Sequence, residues 1–157
     1  MSTHTHIHPR IDVTQHGGHL SSALIRVEQR IELDPRVRHL VKLRASQING
    51  CAYCIDMHWA HARADGESEQ RLAQLDAWPE SPYFDERERA ALALTEAVTN
   101  VSSTHVPDEV WVEAEAQFGP DELVNLLVAI AMINAWNRIA IASRAQPASY
   151  QELSRAG

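Results

Sequence analysis

No stretch of this chain alternates polar and apolar residues at period two between turn signals, so the sequence offers no strand with one buried face. Apolar residues instead recur three and four apart. Leu20, Ala23, Leu24, Val27 and Ile31 share one helical face, and Val37, Leu40, Val41 and Leu43 run towards Ile48 as a second. Asp34-Pro35 pairs an N-cap side chain with the residue best suited to the first helical position. Asn49-Gly50 ends that helix, since both residues tolerate positive φ. A third helix starts near Cys51 and ends at Ala64-Asp65-Gly66. A short helix from Ser68 to Leu75 and a loop through Trp78-Pro79-Glu80-Ser81-Pro82 follow. Asp85 caps a helix reaching about Val101, Pro107 opens one that stops at Gly119, and Pro120 opens the last, to about Arg144. The spacing predicts an all-α chain of six or seven helices without an internal repeat.

The 157 residues suit one domain able to bury its own core. Residues 1–18 carry His4, His6, His8 and His16, lack an apolar period and end in Gly17-Gly18, which predicts a flexible His-rich arm. The helical domain is expected over 19–146, with a polar tail over 147–157. A formal net charge of -7 and interleaved Arg and Glu argue against nucleic-acid binding. The run from Leu123 to Ser143 is apolar enough to suggest a membrane span, but Asn125, Asn134, Asn137 and Arg138 would be costly at bilayer depth. A buried helix and no membrane partner are therefore expected. The N-terminus shows no apolar core flanked by Lys or Arg, which points to a cytoplasmic protein.

The chain has two cysteines, Cys51 and Cys54. A disulfide between them closes too small a loop to staple a secreted domain. The spacing reads instead as redox or metal chemistry. On a helix, Cys54 lies about 60° round from Cys51 and His58 about 40° from Cys54, so two thiols and an imidazole share a face. The Asn-Gly turn puts Cys51 at a helix N-terminus, where free N–H groups and the macrodipole favour a thiolate. His58 is placed to take the Cys54 proton or to hold its thiolate by a charge-assisted hydrogen bond. A second thiol nearby captures a sulfenic acid as a disulfide before further oxidation. The plain alternative is that two buried cysteines and a histidine fill a core. The metal alternative adds His61 to the same face, but Cys51 and His61 lie about 15 Å apart along the axis. One straight helix cannot close a zinc site over that distance. A partial site would need His39 or the His-rich arm, and no metal or cofactor is assigned.

The stretch Leu43-Arg44-Ala45-Ser46-Gln47-Ile48-Asn49-Gly50-Cys51-Ala52-Tyr53-Cys54-Ile55-Asp56-Met57-His58 resembles the core signature of the AhpD-like alkylhydroperoxidases, within the carboxymuconolactone decarboxylase superfamily. Trp78, Glu88-Arg89-Ala90-Ala91-Leu92 and Ile133-Asn134-Ala135-Trp136-Asn137-Arg138 are similar to its other recurring blocks. The resemblance spans about Leu20 to Ser143 and implies an all-helical homo-oligomer, trimer or hexamer. It implies that Cys54 is the peroxidatic thiol beside His58 and that Cys51 resolves it. The decarboxylases proper lack this cysteine pair.

Two positions depart from the resemblance. Family peroxidases carry a proton-relaying Glu about three turns before the first cysteine, where this chain has His39. His39 is a candidate relay near neutral pH, or a histidine with no role. Tyr53 stands where some members place a His, and is a candidate to hydrogen-bond the substrate or simply to pack. Asn134, Trp136, Asn137 and Arg138 are expected to satisfy buried backbone behind the catalytic helix, or to meet substrate at a subunit interface. The expected activity is peroxiredoxin-like reduction of a peroxide substrate, with a dithiol or thioredoxin-like partner restoring the pair. The alternatives are a thiol–disulfide oxidoreductase with little peroxidase activity, or a non-catalytic redox-sensing or ligand- or metal-binding oligomer.

Overall fold

A computed structural model describes residues 8–147 and 149–150. Among the described residues the chain is all-helical, with α1 (Val13–Glu28), α2 (Pro35–Asn49), α3 (Ala52–Ala64), α4 (Glu69–Ala73), α5 (Glu86–Thr99), α6 (Val101–Thr104), α7 (Asp108–Gln117) and α8 (Pro120–Ser143). A single 3-10 turn, Leu75–Ala77, lies between α4 and α5.

Local chemistry accounts for most boundaries. The Asp34 carboxylate accepts from the Arg36 N–H with Pro35 just inside α2, and Ser68 caps α4 through the Arg71 N–H. Asp85 and Glu88 form a reciprocal capping box that starts α5. Gly66 (φ 92°) follows the end of α3 in a conformation that suits glycine.

Two expectations change. Helix α1 begins at Val13, inside the predicted arm, because the Asp12 carboxylate accepts from the Thr14 and Gln15 N–H groups. Gly17 (φ -127°, ψ 26°) bends the helix instead of preceding it. The arm's first seven residues, and most of the predicted tail, fall outside the described residues. The helix count is also higher than six or seven. Asn100 (φ -99°, ψ 31°) leaves the helical conformation and separates α5 from the four-residue α6, where one continuous helix to Val101 was expected.

Helix α2 is the centre of the fold, packed against α3, α5 and α8. Its Val37 and Val41 join Leu94, Phe118, Leu126 and Ile130 in the largest apolar cluster. Its Leu40 and Leu43 join Leu72, Leu75, Phe84 and Leu92 in a second. Ala45 packs with Cys51, Cys54, Ile133 and Ala140 in a third, smaller one. The thiol pair thus belongs to the core between α2, α3 and α8. Helix α8 is long and apolar enough to cross a membrane by length and composition. Here it packs on α1, α2, α3, α5 and α7, with Leu126, Ile130, Ile133 and Asn137 fully buried.

Candidate active site

The turn between α2 and α3 sets the site. Gly50 takes the left-handed conformation (φ 68°, ψ 34°) that lets the chain reverse after Asn49. Cys51 then becomes the N-cap of α3, and its sulfur accepts from the Cys54 N–H at 3.4 Å. The Cys54 sulfur lies 2.7 Å from that of Cys51, with both cysteines free thiols and only 1% exposed.

The two sulfurs differ sharply in acidity. The Cys54 thiol donates to Cys51 and pulls it down to about 7 against the cost of burial, helped by the Cys54 N–H, the Asn137 side chain and the Tyr53 N–H. Cys54 is pushed up, because its proton is held by Cys51 and because it is buried. Sharing a proton between two sulfurs in contact lowers the cost of ionising the reduced pair.

His58 lies one turn beyond Cys54 and is 7% exposed. Burial, with Lys42, His61 and His39 nearby, holds its imidazole down to about 3. The ring is therefore neutral at pH 7, and a neutral ring can either accept a proton or donate its N–H to a thiolate, so both roles of His58 stay open. It makes no hydrogen bond within the described residues, and His61 meets it edge-on at 6.1 Å between centroids.

A cavity of about 610 Å³ opens between α1, α3 and α8. Cys54, His58 and Tyr53 line it, with Met57, Trp136 and Ile139 among its apolar walls. Cys51 does not line it. A second recess of about 300 Å³ lies on the other side of His58 and Lys42, lined by Arg38, His39, His61 and Asp65. His39 belongs to this recess and not to the thiol cavity. Its Nε2 pairs with Asp65 Oδ2 at 2.6 Å.

The asparagines of α8 hold the α2–α3 turn. Asn49 donates to the side-chain oxygens of Asn134 and Asn137, each at 2.9 Å, and Asn137 donates to Ser46 Oγ at 3.0 Å. Asn134 donates to Thr99 Oγ1, and Arg138 donates back to Asn134. These groups bond mainly to side chains of α2 and α5, and Asn137 also stabilises the thiolate. The cluster also satisfies backbone, as expected: Asn134 donates to the Ile130 carbonyl and Arg138 to that of Asn134.

Sequence reasoning missed Glu28 and Lys42, which pair with each other and both line the thiol cavity. The available signal was the spacing of Ser21, Ile25 and Glu28, which puts a carboxylate on the same stripe of α1 as cavity-lining residues. No group of three or more His, Cys, Asp or Glu side chains converges in a metal-binding arrangement among the described residues.

A buried CxxC at the start of a core helix, with a neutral histidine one turn on and a cavity beside the second sulfur, defines a helical thiol-pair protein. The sequence model of the carboxymuconolactone decarboxylase family matches residues 20–97. The uncharacterised protein YdfG of Bacillus subtilis (strain 168) is 46% identical over 112 residues, 71% of this chain and 76% of that protein. The chain belongs to the carboxymuconolactone decarboxylase family. A crystal structure from Agrobacterium tumefaciens, of a protein of unknown function proposed as the antioxidant defence protein AhpD, superposes with a TM-score of 0.87. It is 41% identical, over 89% of this chain and 98% of that one. The debrominase Bmp8, solved as a Cys-to-Ala variant with 2,3,4-tribromopyrrole, has a TM-score of 0.73 over 85% of this chain and 73% of its own. At 21% identity that likeness concerns the fold alone.

Proposed function

We propose that this protein is a peroxiredoxin-like hydroperoxide reductase in which Cys54 attacks the peroxide and Cys51 resolves the product. One observation carries the reading: Cys54, and not Cys51, lines a large apolar-walled cavity beside a neutral His58, with its partner sulfur 2.7 Å away. His58 takes the Cys54 proton, and the thiolate attacks the terminal oxygen of a hydroperoxide. The O–O bond breaks, an S–O bond forms, and the alkoxide leaves as the alcohol with the proton that His58 took from Cys54. Cys51 then attacks the sulfenic acid, releasing water and closing the disulfide. A dithiol or thioredoxin-like reductant takes up the oxidising equivalents. Tyr53 lines the same cavity and is the substrate-contacting residue of this scheme. His39, on the recess side of His58, is the candidate relay residue of this scheme. The likeness to a protein proposed for antioxidant defence supports the reading.

Association into a homo-oligomer, trimer or hexamer, in the cytoplasm belongs to the same proposal. Exposed Leu20 and Ile25 on α1 and Val124 and Ile141 on α8 are apolar surface that further copies would cover. Sedimentation at several concentrations tests this, and a monomer throughout would remove it.

A second reading, thiol–disulfide exchange, is favoured by the lowered pKa of Cys51, the first cysteine of the pair. Peroxide consumption with a dithiol, compared between wild type, Cys54→Ser and Cys51→Ser, separates the two. Turnover unaffected by Cys54→Ser would overturn the proposed mechanism. Disulfide reduction without peroxide consumption would select the second reading.

A further inference from the structure

Two spaces share the His58 ring. The thiol cavity lies on one side, and the recess of about 300 Å³ between α2 and α3 lies on the other. Asp65 is the one acid among the described residues lining the recess, and it is already paired with His39 at 2.6 Å. Arg38 is partly buried at the recess and makes no hydrogen bond or ion pair among the described residues. Its guanidinium therefore presents a planar fork of N–H donors without a protein acceptor. Lys42 donates to Glu28 on the cavity side, and an ammonium has further donors to offer. His58 is 7% exposed and also lacks a partner among the described residues. Its ring nitrogens are not sealed off, since the one fully buried and unpartnered side-chain atom among the described residues is Glu28 Oε1. Two permanent cations and three imidazoles thus face a single, already paired carboxylate, on a chain whose formal net charge is -7. A concave surface of that balance attracts an anion.

We propose that this recess is a binding site for a small oxyanion, held by Arg38 and Lys42 with His58 and His61 beside it. The chemistry that fits is a phosphate or carboxylate group, whose oxygens accept from a guanidinium fork and an ammonium. The site is separate from the place of a peroxide, because Cys54 lines the cavity and not the recess. Lys42 and His58 line both spaces, so an anion in the recess acts on the thiol site without touching the sulfurs. Burial first, and then the charges of Lys42, His61 and His39, disfavour a protonated His58. A bound anion opposes those charges and makes the ring a readier proton acceptor. The occupant is an effector of the thiol site and not its substrate. That consequence rests on the hydroperoxide-reductase reading; the binding site itself does not.

The test titrates the full reduced chain by calorimetry at neutral pH and constant ionic strength, without any peroxide. Inorganic phosphate, acetate and chloride are the three probes. Saturable binding of phosphate or acetate, with no comparable response to chloride, is expected. Phosphate by itself would narrow the ligand to phosphate groups, and acetate by itself to carboxylates; either supports the site. Arg38 has no protein partner to lose, so Arg38→Gln keeps the fold and is expected to weaken binding about tenfold. Arg38→Lys is expected to recover part of that loss. Arg26→Gln removes the same charge from an exposed position on α1 and is expected to leave binding unchanged. The His58 ring resonance, identified by its disappearance in His58→Gln, is expected to move along the same binding curve in proton NMR. No saturation by either oxyanion below about 50 mM, or an equal response to chloride, would overturn the proposal. So would equal weakening by Arg38→Gln and Arg26→Gln, or a His58 resonance that stays still as the anion binds. A chain that consumes no peroxide would defeat the functional reading, while these binding results would stand or fall by themselves.

Discussion

Asn49, the last residue of α2, donates to the side chain of Asn137 in the middle of α8 across 2.9 Å. The bond ties the turn that launches α3 to the longest helix of the fold. The same Asn137 side chain lowers the pKa of both thiols. One asparagine thus positions the turn and tunes the sulfur pair that follows it.

The first prediction concerns that double role. Asn137→Leu removes a hydrogen-bond donor to the thiolate, so the Cys51 pKa rises from about 7. A net hydrogen bond of about 1 kcal/mol corresponds to a shift of somewhat under one unit. Ultraviolet thiolate absorbance across a pH titration of the reduced protein measures it. An unmoved or lower midpoint would remove Asn137 from the thiol site.

Gly50 tests the turn. Its φ of 68° suits glycine, while a Cβ built there meets nothing within 4 Å. Gly50→Ala therefore costs backbone strain without a clash, about 1 kcal/mol of stability. Urea unfolding measures the loss. A much larger loss would mean that the turn cannot absorb the change and that α3 is displaced.

His58 links acidity to stability. Its pKa is about 3 in the folded chain and near 6.5 when unfolded, so the unfolded state binds an extra proton between those values. The contribution is present above pH 6.5 and is lost as pH falls towards 3. Its full size is on the order of 5 kcal/mol. His58→Gln removes this proton uptake, so stability should fall less steeply than in wild type from pH 6.5 to 4. Equal slopes in urea unfolding at several pH values would show that the ring is not held neutral by the fold.

For catalysis, His58→Gln should lower kcat/KM for an organic hydroperoxide by roughly 10²–10⁴, the range of a lost general base. Cys54→Ser should reduce turnover to background. Cys51→Ser should still react once, leaving a sulfenic acid on Cys54 that a dimedone adduct locates by mass spectrometry. An adduct formed only in Cys54→Ser would reverse the order of the two thiols.

Core packing gives a control far from the chemistry. Leu126 is fully buried in the cluster joining α2, α5 and α8. Leu126→Ala should lose about 2–5 kcal/mol in urea unfolding while the thiol titration keeps its midpoint.

The sequence by itself determined what neighbours along the chain can settle. Asp34-Pro35, Asp85 with Glu88, and Asn49-Gly50 mark helix ends through bonds and backbone preferences reaching no more than a few residues. The common face of Cys51, Cys54 and His58 follows from the period of a helix in the same way. Even locally there were misses. Asp12 captures two N–H groups and draws Val13 into a helix where histidines and glycines suggested an arm, and Asn100 splits a run that looked continuous. What only the tertiary structure decided depends on how distant helices meet. Lys42 pairs with Glu28 because α1 crosses the cavity, and His39 turns to Asp65 because α2 lies along α3. The neutrality of His58 and the acidity of Cys51 come from burial and from neighbours on α2 and α8. Desolvation and hydrogen bonding act over a few ångströms in space, and residues far apart in sequence become neighbours only once the helices have packed.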